Sequence, residues 1–240
     1  MNDISQLQFK DLGIICYACK ATEEKIKWLT TEESVSWQSM KHRRKRMEWL
    51  SSRVAAKAAA VNWLEKYYEL PLRPELITIF NTKYGIPYVK WPLQISTPNL
   101  SMSHTDNIGV ATVSCNYIVH GCDIEKIKDR HSAFSNYFLT SDESVLWFNN
   151  NIKIHYGFVE RKTIETMLWS AKESIIKAII SKDTSKKFIN MFHITLNPST
   201  KNDKNLYDFI FSYENHKGKG KWIIINEYVI SVSILNSNQK

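Results

Sequence analysis

The 240-residue chain contains no run of 18 apolar residues, so no membrane-spanning helix is expected. Its opening, MNDISQLQFKDLG, has neither the basic leader nor the apolar stretch of a secretory signal, and the expected location is the cytoplasm. Cysteine is scarce, at Cys16, Cys19, Cys115 and Cys122. The first two have CxxC spacing, which raises a zinc site. IICYAC reads instead as a strand, where residues three apart face opposite ways, and no glycine-rich knuckle surrounds either pair. Small buried hydrophobes in a reducing compartment are the simpler reading. The run KGKGK (217–221) lacks the spacing of a phosphate-binding loop and reads as the turn of a hairpin.

What is present is material for a core, together with an excess of positive charge. Apolar residues make up 43% of the chain, including 8 Trp, 11 Tyr and 10 Phe. That composition supports a packed interior and argues against disorder. A formal net charge of +8 suits an anionic partner, whether nucleic acid, a phosphorylated cofactor or an acidic protein.

Along the chain, LGIICYAC (12–19) has a strand pattern, followed by a long helical pattern over about 41–70 that Pro71 ends. Apolar positions Met47, Leu50, Val54, Ala58, Val61 and Leu64 recur at three and four, the spacing of a one-sided buried stripe. ELITIF (75–80) is a short strand, and 108–115 with 117–125 reads as a hairpin. Thr140 and Glu143 have capping-box spacing ahead of a short helix, and a second long helix covers about 160–180. The C-terminal residues read as one more hairpin. The order predicts an α+β fold of two pseudo-symmetric halves, 1–117 and 118–240, each a long helix on a small antiparallel sheet. Ala56-Lys57 in one helix echoes Ala171-Lys172 in the other.

IVHGCDIEKIKDR (118–130) sets Asp123 and Glu125 two apart after an apolar run. On a strand their side chains share one face, about 7 Å apart at Cα, and like charges so placed repel. Either a cation sits between them or both face water. The second long helix carries two apolar stripes: Ile164, Leu168, Ala171, Ile175 and Ala178, and on nearly the opposite side Trp169, Glu173, Ile176 and Ile180. Glu173 thus occupies a position where a leucine would pass unnoticed, and acids are seldom buried unless paired or metal-bound. Lys177, four residues on, offers an ordinary helix-surface ion pair as one explanation. Joined to Asp123 and Glu125, the same acid completes an all-oxygen set that fits Mg²⁺, an ion that takes its remaining ligands from water and substrate phosphates.

GCDIE (121–125) followed by WSAKESIIK (169–177) resembles the paired signatures of the 4'-phosphopantetheinyl transferase superfamily. MSHTDNIGVATVS (102–114) resembles its serine-histidine motif, KRMEWLSSRVAAK (45–57) its first long helix, and YGIPYV (84–89) its Gly-Lys-Pro loop. Length and motif order resemble the longer, surfactin-type branch, whose members are monomers with the active site between two halves. The resemblance implies transfer of phosphopantetheine from coenzyme A to a serine of an acidic acyl or peptidyl carrier protein, with release of adenosine 3',5'-bisphosphate. It implies Mg²⁺ on Asp123, Glu125 and Glu173, with Glu173 also as general base. It gives Lys177 a contact to the diphosphate, phosphate contacts to Lys172 and His104, and the nucleotide end to Ser103. Arg44, Lys45 and Arg53 become candidates for the 3'-phosphate.

Ile86 stands where that family has the loop lysine, and Cys122 replaces an aliphatic residue and is expected to point away from the metal. The carrier would meet basic surface near Lys126, Lys128 and Arg130. Two other classes compete with this reading. KHRRKR (41–46) resembles a nucleic-acid patch, although it runs into a packed helix and leaves the three acids unexplained. A non-catalytic coenzyme A-binding protein of the same fold would have no need of the acids and Lys177 together.

Overall fold

The structure is a computed structural model that describes residues 4–7, 9–148, 160–186, 188–201 and 206–236. Eleven strands and four α-helices are described, with short 3₁₀ turns between them. In chain order they are β1 (Ile4–Leu7), β2 (Ile15–Cys19), α1 (Thr31–Ser39), α2 (Arg43–Tyr68), β3 (Thr78–Asn81), β4 (Pro87–Lys90), β5 (Asn99–Thr105) and β6 (Ile108–Ser114). There follow β7 (His120–Lys126), α3 (Ser141–Phe148), α4 (Arg161–Lys182), β8 (Thr195–Lys201), β9 (Leu206–Tyr213), β10 (His216–Ile225) and β11 (Tyr228–Leu235). One antiparallel sheet has the order β1-β2-β6-β5, a second β7-β11-β10-β9-β8, and β3 pairs with β4. The fold is α+β, built in two halves, with α2 on the first sheet and α4 on the second.

Three apolar cores hold this arrangement. Leu50, Val54, Ala59, Trp63 and Leu64 of α2 bury against the first sheet. Leu168, Ala171, Ile175 and Ala178 of α4 bury against the second. The third core joins the two sheets through Cys16, Ile108, Val110, Cys122, Ile124, Ile230 and Val232. Cys16 packs in that shared core whereas Cys19 packs under α2, as the alternation of a strand requires. Cys122, in the shared core, turns away from the acid that follows it.

Two expectations fail on strand pairing. β6 and β7 form no hairpin: β6 lies between β2 and β5, while β7 pairs with β11. β6 finds its hairpin partner upstream, through the turn at Asp106-Asn107, where both residues have positive φ. Nor is KGKGK a turn. It lies inside β10, and the chain reverses instead at Glu214, with φ 48°. Gly218 and Gly220 are needed there because an added Cβ would stand 2.3 Å from the Phe211 ring and 2.2 Å from that of Phe209. The glycines let two aromatic rings lie over the strand.

The halves repeat one local device. Thr30 and Glu33 close a capping box on α1. The carboxylate of Glu33 accepts from Ile79 N at 3.0 Å and pairs with the fully buried Lys57 of α2 at 2.5 Å. In the other half Thr140 and Glu143 exchange the same two bonds at the start of α3. Glu143 accepts from Leu196 N at 3.1 Å and pairs with the fully buried Lys172 of α4 at 2.7 Å. Each lysine also donates to a backbone carbonyl just before its capping box, Trp28 for Lys57 and Phe138 for Lys172.

Helix and sheet approach most closely at glycine. A Cβ on Gly121 would lie 2.0 Å from the Ser174 carbonyl oxygen and 2.7 Å from Ala178 N of α4. Backbone cannot yield as a side-chain tip does. Gly121→Ala is therefore expected to lower stability by about 3 kcal/mol, read from urea unfolding; a loss below about 0.5 kcal/mol would contradict this packing.

Candidate active site

The two sheets meet where β5 runs beside β7. One edge of β7 is paired with β11, and serines of β5 serve the other. Ser101 Oγ accepts from Cys122 N at 3.0 Å, and Ser103 Oγ donates to Asp123 Oδ1 at 2.7 Å. Ser101 and Ser103 are two apart, so the strand aims both at its neighbour. Asp123 is 4% exposed. Its Oδ1 also accepts from Lys177 Nζ at 2.8 Å, and the same ammonium donates to the Cys122 carbonyl at 3.0 Å. Oδ2 is buried with no hydrogen-bond partner among the described residues.

The other two acids feel that charge. Glu125 accepts from Trp169 Nε1 of α4 at 3.2 Å and from Arg130 at 3.4 Å. Burial raises its pKa, and the negative charge of Asp123 raises it further, against Arg130. Glu173 is half-buried, and its pKa rises for the same two reasons, with Lys177 opposing. Burial alone would lower Lys177, yet its pKa is raised, because Asp123 and Glu173 favour the ammonium. Three carboxylates thus share one electrostatic neighbourhood with two cations, a deficit of positive charge in a poorly hydrated place.

The placement of the remaining candidates is mixed. His104 lies on β5 with its side chain at the surface, beside a recess of about 420 Å³ lined also by Lys41, His42, Lys45, Glu48 and Trp49. Loss of water lowers its pKa; Glu48 opposes this, and Lys177 and Arg53 reinforce it. Arg44 is exposed and pairs with Glu48 and Asp106. Arg53 is buried, stacked 4.3 Å over the Trp49 ring, with no partner for Nε among the described residues, and burial brings its pKa down to about 10. Lys172 does not reach the site: its ammonium is enclosed by Phe138 O, Glu143 and Met191 O. The phosphate contact expected of it has no counterpart in this geometry, because all three donors are already used.

The basic stretch after β7 is also largely consumed. Arg130 turns inward to Thr166 and Glu125, and Lys126 pairs with Asp106 and Glu227. Lys128 remains exposed. In KHRRKR, Arg43 and Arg44 are engaged by acids and Arg46 lies over the Trp37 ring. Gly85 and Ile86 lie in the turn of the β3–β4 hairpin, Pro87 opens β4, and the three line a cavity of about 150 Å³ with Ser101, His120 and Lys177. Sequence reasoning assigned no site role to Trp169, Ser101 or His120, and it placed Arg130 on the carrier-facing surface rather than beside Glu125. Only Trp169 left a signal, one turn before Glu173 on the same stripe.

Among the described residues no group of three or more His, Cys, Asp or Glu side chains is arranged as a metal site. The donor chemistry still fits a hard divalent ion. Asp123 Oδ2 is a buried carboxylate oxygen with no hydrogen-bond partner among the described residues, and the half-buried Glu173 carboxylate lies in the same charge cluster. Mg²⁺ uses few protein oxygens and completes its shell with water and phosphate; Asp123, Glu125 and Glu173 would hold it.

His120, buried at the start of β7, shares a bond of 2.8 Å with Ser114 Oγ and one of 3.1 Å with the Thr112 carbonyl. Burial lowers its pKa from 6.5 to about 4. Below pH 6.5 the unfolded chain takes up a proton that the folded chain refuses until about pH 4, so stability falls across that window. The loss is up to about 3 kcal/mol. Chemical unfolding at pH 7 and pH 4.5 should show native protein losing more stability than His120→Gln; equal losses would contradict the buried neutral ring.

Residues 120–233, which include all three acids and Lys177, match the family model of the 4'-phosphopantetheinyl transferase superfamily. No curated protein matches the chain.

Proposed function

We propose that this chain, which belongs to the 4'-phosphopantetheinyl transferase superfamily, moves the phosphopantetheine group of coenzyme A onto a serine of an acyl or peptidyl carrier protein. The proposal includes dependence on Mg²⁺, release of adenosine 3',5'-bisphosphate, and a cytoplasmic monomer of the surfactin-type branch with halves 1–117 and 118–240. The observation that carries it is Asp123, buried between the sheets with Ser103 and Lys177 on one oxygen and no hydrogen-bond partner on the other among the described residues, in the electrostatic company of Glu125 and Glu173.

In this reading the serine oxygen forms a bond to the phosphorus that bears pantetheine, and the bond from that phosphorus to the bridging oxygen breaks. The serine proton passes to Glu173, the half-buried helix carboxylate beside Asp123, which acts as the general base. Lys177, held charged by Asp123, faces the leaving phosphate and stabilises the charge it gains. A divalent ion on the three acids would neutralise diphosphate charge and hold it in line. Lys45 and His104, across the basic recess, supply contacts for the 3'-phosphate, with Arg53 behind Trp49 and Arg44 at the rim. Ser103 positions Asp123 through its hydroxyl. An acidic carrier would approach the exposed Lys128.

Candidate apo-carriers incubated with the protein, coenzyme A and Mg²⁺ should gain one phosphopantetheine unit by mass spectrometry. Glu173→Gln should cut kcat by about 10²-fold or more with its circular dichroism unchanged. Full activity in that variant would reject the assigned role, and no mass gain on any carrier would reject the reaction.

A further inference from the structure

We infer that Lys172 is a positioning residue: its buried ion pair with Glu143 fixes the rotation of α4 about its axis, and hence the aim of Glu173 and Lys177 at Asp123. The inference deepens the transferase reading, on which its kinetic part rests.

Three observations carry it. Lys172 ties α4 to two separate segments through three groups: the Phe138 carbonyl at 2.8 Å and the Glu143 carboxylate at 2.7 Å at one capping box, and the Met191 carbonyl at 3.0 Å beyond α4. Through Leu196 N, the other oxygen of Glu143 extends the tie to β8. On the opposite side of the helix, Ser170 shares a hydrogen bond of 2.8 Å with Ser231, and Ser174 shares one with Ser233. Lys172 is about 200° around the helix from Ser170, so α4 is pinned on two opposed faces and cannot roll.

The third observation is the twin. Lys57 and Glu33 make the same arrangement in the half whose helix carries none of the three acids. The device therefore belongs to the scaffold, and only in the second half does it govern catalytic side chains. A roll of about 20° would displace a glutamate carboxylate by about 2 Å, and a 1 Å misplacement can cost about 10²-fold in rate. A buried ion pair is weak evidence for stability, since apolar replacements are often neutral or better. Geometric definition is what this pair supplies here.

The test removes both charges together, so that no lone ion stays buried. Lys172→Met/Glu143→Gln keeps an acceptor for Leu196 N. It should fold, lower kcat about 10- to 100-fold, and change KM for coenzyme A less than about threefold. Lys57→Met/Glu33→Gln should keep kcat within about threefold of native. A second readout needs no turnover: the Trp169 indole N–H, which bonds Glu125 at 3.2 Å, should exchange with solvent at least about tenfold faster by NMR in the first variant only. Should that variant fail to fold, Glu143→Asp, which keeps the charge and shortens the arm, takes the same measurements with the same expectation. Unchanged kcat and unchanged Trp169 exchange in a folded variant would overturn the inference, as would equal loss of kcat in both double variants. Failure of native protein to modify any carrier would instead sink the transferase reading and leave the Trp169 measurement to decide the clamp.

Discussion

The carboxylate of Asp123 is shared between a serine from one sheet and a lysine from the helix covering the other. The contact with Ser103 requires β5 and β7 to lie side by side, which in turn requires the shared core of Cys16, Val110, Cys122 and Val232 behind them. The contact with Lys177 requires α4 to sit close on β7, which Gly121 permits. Remove any of these and the acid loses a partner, or the site loses its third carboxylate. Burial makes the arrangement costly unless a cation completes it, because an unpaired acceptor on a buried charged group is among the most expensive things a fold can contain.

Repetition explains why such a site can be built from ordinary parts. Both halves lay a long helix on an antiparallel sheet and lock it with a buried lysine, a capping-box glutamate and a strand N–H. The first half puts Arg53 and a basic recess beside β5; the second puts the acids on β7 and α4. In the proposed reading the chemistry would divide accordingly, with anion-holding groups on one side of the seam and metal-holding oxygens on the other.

Much of this was legible in the sequence, for local reasons. The spacing of Asp123 and Glu125 on a strand and the two stripes of α4 are short-range patterns, and both survive folding intact. What was not legible depended on distant partners. β7 pairs with β11 across most of the second half, and an adjacent apolar run, β6, looked like the nearer mate. KGKGK resembled a turn because its need for glycine comes from Phe209 and Phe211 in the neighbouring strand. The motif resemblance made Lys172 a phosphate ligand, while Glu143 and Met191, which claim it, lie in other segments. Arg130 was expected at the surface, with Thr166 out of view.

The claim that binds these parts together is that Asp123 anchors a divalent ion beside the coenzyme. Titration calorimetry of Mg²⁺ into protein saturated with coenzyme A tests it most directly. The account predicts one ion per chain, with affinity at least about tenfold weaker in Asp123→Asn. Equal affinity in native protein and Asp123→Asn would contradict it.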